Sequence, residues 1–171
     1  AEGIIKGVAI TGDVMADALQ FAATKASAHS DILGCLGLQP QGYLLATVHR
    51  AENTDNGQRL NNILSAFAVL NEPVVFPAHP RTRKLLKQNG YQPPGNVKII
   101  DPVGYFDIIA LEKSARLLLT DSGGMQKEAY WLQVPCITLR DETEWVETMA
   151  LGWNILTGAD TSRIMAAVKT F

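Results

Sequence analysis

The 171-residue sequence predicts an α/β fold: an open parallel sheet with helices on both faces. Three observations carry the prediction. From residue 42 onward, short apolar stretches alternate with helix-length stretches about six times, the rhythm of strand–helix–strand crossovers. Several of the short stretches are continuously branched and apolar, as in Leu117-Leu118-Leu119, the pattern of a strand buried on both faces. Polar side chains gather where those stretches end: His49, Arg50, Glu52 and Asn53; His79 and Arg81; Asp101; Asp121 and Ser122; Arg140 and Glu142. Ligands of open parallel sheets sit at the carboxyl ends of the strands.

Residues 4–11 are short and β-leaning, punctuated by Gly3, Gly7 and Gly12. Asp13 is placed to cap a helix carrying Val14, Leu19, Phe21 and Ala22 toward Ser27. Gly34, Gly37 and Pro40 end that region and lead into the next. Residues 1–41 are Ala-rich and weakly amphipathic, and read as a hinge and linker helix; residues 42–171 form the sheet domain. Within it, strands are expected at 43–48, 74–76, 97–100, 117–120, 134–139 and 154–156. Helices are expected at 58–70, with Leu60, Ile63, Leu64, Phe67 and Leu70 on one face, and at 82–88, 106–113, 123–132, 144–150 and 161–168. The stretches 49–53 and 77–80 read as loops.

The organising stretch is residues 117–129. A buried strand breaks at Asp121-Ser122-Gly123-Gly124 and continues as a helix, with Asp121 or Ser122 as N-cap. The glycines let the backbone turn tightly and approach a ligand closely. The free amides of the first turn carry the positive end of the helix dipole, so an anion, typically a phosphate, is the natural guest. Glu128 follows about one and a half turns later, within reach of polar groups attached to that phosphate.

Other side chains at the strand ends have chemistry to offer. His49 can donate to a phosphate or move a proton; the alternative is a loop histidine bonded to backbone. His79 sits in a rigid loop beside Arg81 and Arg83. Arg140 offers fork geometry to a phosphate or carboxylate, or an ion pair to Asp141 or Glu144. Trp131, Trp145 and Trp153 read as core residues, and Cys35 and Cys136 as buried thiols without CxxC spacing. A net charge of −2 gives no basic surface for nucleic acid, and no apolar run is long enough to span a bilayer. No metal-ligand spacing, Walker loop, GxGxxG or nucleophile elbow is present, so neither metal nor cofactor is expected. No signal peptide opens the chain, and both ends read as cuts in a longer polypeptide.

Taken together, Thr47-Val48-His49-Arg50-Ala51-Glu52-Asn53, Pro77-Ala78-His79-Pro80, Asp101-Pro102 with Tyr105, Thr120 through Ala129, and Leu139-Arg140 with Thr143-Glu144 resemble the UDP-N-acetylglucosamine 2-epimerase family, in family order. Thr11-Gly12-Asp13-Val14 is similar to that family's interdomain junction. The resemblance covers essentially the whole chain but only about half of a family member. It implies one half of a GT-B fold, in which two Rossmann-like domains enclose the active site. This chain matches the second domain plus hinge; the N-terminal domain, with the carboxylates expected to move the C2 proton, is absent. The implied reaction is epimerisation at C2 of a UDP-linked amino sugar, by elimination of UDP to a glycal and its re-addition.

The resemblance also implies residue roles. Ser122, Gly123 and Gly124 hold the diphosphate, and Glu128 binds the ribose hydroxyls. His49 assists departure of UDP and Glu52 supports its loop. Arg140 and His79 complete the nucleotide side, and Val103 and Ile108 flank the uracil. Asp107 and Ile108 depart from the Pro and aromatic that members often carry there. The expected partners are the UDP-sugar and, for a full-length enzyme, a second copy; the expected location is the cytoplasm, feeding cell-surface polysaccharide synthesis. The 171 residues alone are expected to bind nucleotide without epimerising. Rival readings are an epimerase for another UDP-amino sugar such as a diacetamido uronic acid, a GT-B glycosyltransferase, and a stand-alone UDP-sugar-binding module.

Overall fold

The computed structural model describes residues 6–9 and 11–171. The β-leaning stretch expected at 4–11 falls largely outside them, and residues 6–9 form turn and coil. Six strands, β1 (Leu44–Thr47), β2 (Val74–Pro77), β3 (Val97–Ile100), β4 (Leu117–Thr120), β5 (Cys136–Thr138) and β6 (Asn154–Leu156), make one sheet of order β3-β2-β1-β4-β5-β6. Every neighbouring pair is parallel. This is the doubly wound Rossmann order, which reverses between β1 and β4 and opens a crevice at their carboxyl ends.

The strands are apolar on both sides because both faces are covered. Leu44, Ala46, Phe76, Leu117 and Leu119 point into one core with Leu60, Ile63, Phe67 and Ile164. These partners come from α4 (Gly57–Val69) and α9 (Thr161–Thr170). Leu45, Val75, Leu118 and Cys136 point the other way, toward Leu111 and Ala129. Those lie on α6 (Tyr105–Ser114) and α7 (Gly123–Trp131). Each fully buried leucine contributes roughly 2 kcal/mol relative to exposure. Period-two alternation between two cores pins the register of the four central strands, β2, β1, β4 and β5.

Five further helices lie among the described residues: α1 (Val14–His29), α2 (Ile32–Leu36), α3 (Ala51–Thr54), α5 (Pro80–Gln88) and the short α8 (Val146–Ala150) before β6. Asp13 caps α1 as expected, accepting from the Met15 amide at 2.9 Å. Leu19, Ala22 and Ala26 bury the helix against Ile109, but Val14 and Phe21 are exposed, so the expected apolar face is narrower. Gly34, Gly37 and Pro40 mark 33–42 in sequence as a break between elements; the segment contains the end of α2, closed by Gly37 at φ 67°. The 49–53 loop winds into the single turn of α3.

Candidate functional site

Thr47 and Thr120 are register partners at the ends of β1 and β4, and their hydroxyl oxygens lie 2.7 Å apart. That pairing sets the His49 loop beside the Asp121-Ser122-Gly123-Gly124 turn. The N-cap of α7 is Ser122, whose Oγ accepts from the Met125 amide at 3.4 Å. Asp121, the other candidate cap, does something else. Fully buried, it accepts from the backbone amides of His49 (3.1 Å) and Arg50 (2.9 Å) and from Asn53 Nδ2 (3.1 Å). Burial pushes its pKa up, but these hydrogen bonds and the nearby His49 side chain outweigh it, and the net shift is down. Asp121 stays ionised and staples the His49 loop to the glycine turn. Its Oδ1 is 3.2 Å from His49 Nδ1, which leaves Nε2 of that half-exposed imidazole for a ligand.

The turn is open. Ser122, Gly123 and Gly124 are each partly exposed. The Ser122 amide is not available, because it donates to Thr120 Oγ1 at 3.0 Å. The amides of Gly123 and Gly124 have no acceptor among the described residues, so they are the two donors at the positive end of α7.

Around the rim, Thr47, His49, His79, Pro102, Val103, Ile108 and Met125 line one cavity of about 250 Å³. The rings of His49 and His79 are 6.4 Å apart. His79 caps α5, its Nδ1 accepting from the Arg81 amide at 3.3 Å, so Nε2 is the ring nitrogen without a protein partner among the described residues. Glu128 lies outside that lining and accepts from the Tyr105 hydroxyl at 3.0 Å. Burial raises the Glu128 pKa and the Tyr105 hydrogen bond offsets part of the rise. Tyr105 is pushed up to about 12 by burial and the Glu128 charge.

Glu52 pairs with Arg59 at 3.1 Å, and Arg59 also reaches Asn53 Oδ1 and Asp141, which ties the His49 loop to α4. Arg140 is committed to Glu144 by two bonds of 2.9 and 3.0 Å, the ion-pair alternative. Hydrogen bonding from Arg140 pulls the Glu144 carboxyl down to about 2.

Three residues contribute in ways that no local pattern announces. In sequence Asp121 offers a strand-end polar group and a helix cap; its spacing gives no hint of the loop 72 residues earlier that it holds. Tyr105, noted as part of the motif, had no role. Trp145, expected in the core, is only half-buried; its indole N–H, a donor that seeks an acceptor, donates to Gly123 O at 2.8 Å. Trp131 and Trp153 are likewise half-buried rather than core. Cys35 is exposed, against expectation, and Cys136 is buried as expected.

Fold, strand order and open rim define a Rossmann-like α/β domain with its ligand edge at the β1/β4 switch point. The chain belongs to the UDP-N-acetylglucosamine 2-epimerase family, whose model matches residues 1–171. It is 49% identical over 178 residues to a UDP-N-acetylglucosamine 2-epimerase homolog of Methanococcus maripaludis, covering 99% of this chain and 49% of that one. It is 46% identical to the UDP-2,3-diacetamido-2,3-dideoxy-D-glucuronate 2-epimerase of Pseudomonas aeruginosa, covering 93% and 44%. The crystal structure of Methanocaldococcus jannaschii UDP-GlcNAc 2-epimerase in complex with UDP-GlcNAc and UDP superposes with a TM-score of 0.89 at 39% identity, covering 99% of this chain and 49% of that one. The chain thus spans about half the length of the relatives it matches.

Proposed function

We propose that this chain is the nucleotide-binding half of a UDP-N-acetylglucosamine 2-epimerase, which interconverts UDP-GlcNAc and UDP-ManNAc by eliminating UDP and adding it back. The observation that carries the reading is the open pair of Gly123 and Gly124 amides at the start of α7, beside an imidazole aligned by a buried carboxylate. UDP departs as an anion. Preorganised amide donors and the helix dipole act on charge that grows in the transition state, where they count most. His49 Nε2 assists that departure, with Asp121 fixing the ring and Glu52 bracing the loop through Arg59. Ser122 shapes the turn as its cap, and Gly123 and Gly124 bind the diphosphate. Val103 and Ile108 flank the uracil, His79 closes that side, and Glu128 takes the ribose hydroxyls in place of Tyr105. Arg140 reaches the nucleotide by exchanging Glu144 for phosphate.

Residues 1–41 serve as hinge and linker to a second domain, and the assembled enzyme works as a cytoplasmic homodimer. Among the described residues no helix is long and apolar enough to cross a membrane. A second reading, an epimerase for UDP-2,3-diacetamido uronic acids, is favoured by the 46% identity to the Pseudomonas aeruginosa enzyme. The two share this half and its chemistry.

Calorimetric titration of the chain with UDP tests the shared claim. Saturable binding is expected, with Glu128→Ala weakening it about tenfold, as loss of a charged hydrogen-bond acceptor does. Equal affinity of the two chains removes Glu128 from the site. Product analysis of an enzyme carrying this chain separates an epimerised UDP-sugar from a glycosylated acceptor.

A further inference from the structure

The glycine turn is held by more than its own cap. Lys127, in the second turn of α7, has a side chain only 14% exposed, which is unusual for a lysine. Its ammonium pairs with Asp13, the N-cap of α1. It also lies over the ring faces of Trp131, at 4.8 Å, and Trp145, at 4.3 Å. A withdrawn ammonium needs such compensation, and a carboxylate with two ring faces supplies it.

Two of these partners lead back to the turn. Trp145 donates its indole N–H to Gly123 O. Asp13 accepts from the Met15 amide, and the Met15 methyl lies 3.8 Å from where a Cβ on Gly124 would stand. Three segments far apart in sequence thus meet at Lys127, beside the two glycines. Ser122 already caps α7 and the helix buries Ala129 beneath it, so Lys127 is not needed to form the helix.

We propose that Lys127 is a positioning residue for nucleotide binding: clamped by Asp13 and Trp131, it seats Trp145 on Gly123 and so fixes the direction of the open amides. The role rests on the nucleotide reading above. It also ties phosphate affinity to the segment that begins α1.

The test is UDP titration of the chain by calorimetry and by tryptophan emission. In the unsubstituted chain UDP binding is expected to change the Trp145 emission. Lys127→Met should bind UDP about tenfold more weakly and lose that change, since the indole is no longer held on Gly123. Lys127→Arg, which keeps the charge and the ring contacts, should restore both. Should Lys127→Met not fold, Trp145→Phe replaces it: the ring stays, the donor is lost, and weaker UDP binding is expected. Unchanged affinity and emission response in Lys127→Met, or unchanged affinity in Trp145→Phe, overturns the positioning role while leaving the nucleotide reading intact. An unsubstituted chain that takes no UDP overturns the nucleotide reading itself.

Discussion

Two buried carboxylates in this domain have opposite fates, and their surroundings decide which. Asp121 is surrounded by donors and stays ionised. Glu112, on α6, is fully buried, and neither carboxyl oxygen has a partner among the described residues. Burial first, and then the charge of Glu128, raise its pKa well above the ordinary carboxylate range. Glu112 is therefore held neutral in the folded chain, while the unfolded chain ionises it at the ordinary value. The sign follows by linkage. A raised carboxyl contributes stability that is fully present below the unfolded pKa and lost as pH rises through the folded one. Denaturant unfolding at pH 5 and pH 8 should show the unsubstituted chain losing stability across that interval from this group. Glu112→Gln, neutral throughout, should lose less and be the more stable chain at pH 8. A Glu112→Gln chain that follows the same pH profile as its parent would show that Glu112 ionises freely. None of this is legible in sequence, because a glutamate followed by Lys113 on a helix reads as solvated face until the rest of the fold closes over it.

At the scale of elements, α7 separates stability from binding at a single position. A Cβ on Gly123 would meet Glu144 Oε2 and Trp145 Nε1 at 3.5 Å and Arg50 Nη2 at 3.7 Å, all ordinary contacts. The backbone there is not left-handed, so alanine fits, and replacing a helical glycine gains up to about 1 kcal/mol in helix propensity. On the proposed nucleotide reading, the same methyl crowds the turn that the diphosphate approaches. Gly123→Ala should therefore melt at or above the parent temperature while binding UDP at least about tenfold more weakly, read by calorimetry beside a thermal melt. Tight UDP binding by Gly123→Ala would place the phosphate elsewhere. This element was the most legible in the chain: a run of leucines, a polar break and two glycines state strand, cap and turn directly. The short α2 and α3 were not legible, since helices of five and four residues carry too few positions for a period to show. The choice of Ser122 over Asp121 as cap was settled by tertiary demand: the loop after β1 needs a buried anion more than the helix needs a second cap candidate.

For the whole molecule, a parallel sheet with helices on both faces is implied by alternation, but the strand order and the register are not. Only the pairing of Thr47 with Thr120 brings His49, Asp121 and the glycine turn to one rim, and no local pattern encodes a contact across 73 residues. The strand-end residues were legible as a set because parallel strands deliver their carboxyl ends to one edge; their bonding to each other was not. Glu128 is engaged by Tyr105 and Arg140 by Glu144, so two of the expected nucleotide ligands begin with protein partners that a bound nucleotide must displace. Binding then links the rim to global stability. A ligand at about 100 times its Kd stabilises the folded state by about 2.7 kcal/mol. For a domain of this size that corresponds to a rise of roughly 5–10 °C in Tm. Saturating UDP should produce a rise of that order in a thermal melt. Uridine, which keeps the base and ribose but lacks the phosphates, should produce a much smaller one at the same concentration, because the Gly123 and Gly124 amides and the α7 dipole find no anion. Equal shifts from UDP and uridine would mean that the cavity at Val103 and Ile108 does the binding and that the glycine turn is only a well-capped helix start.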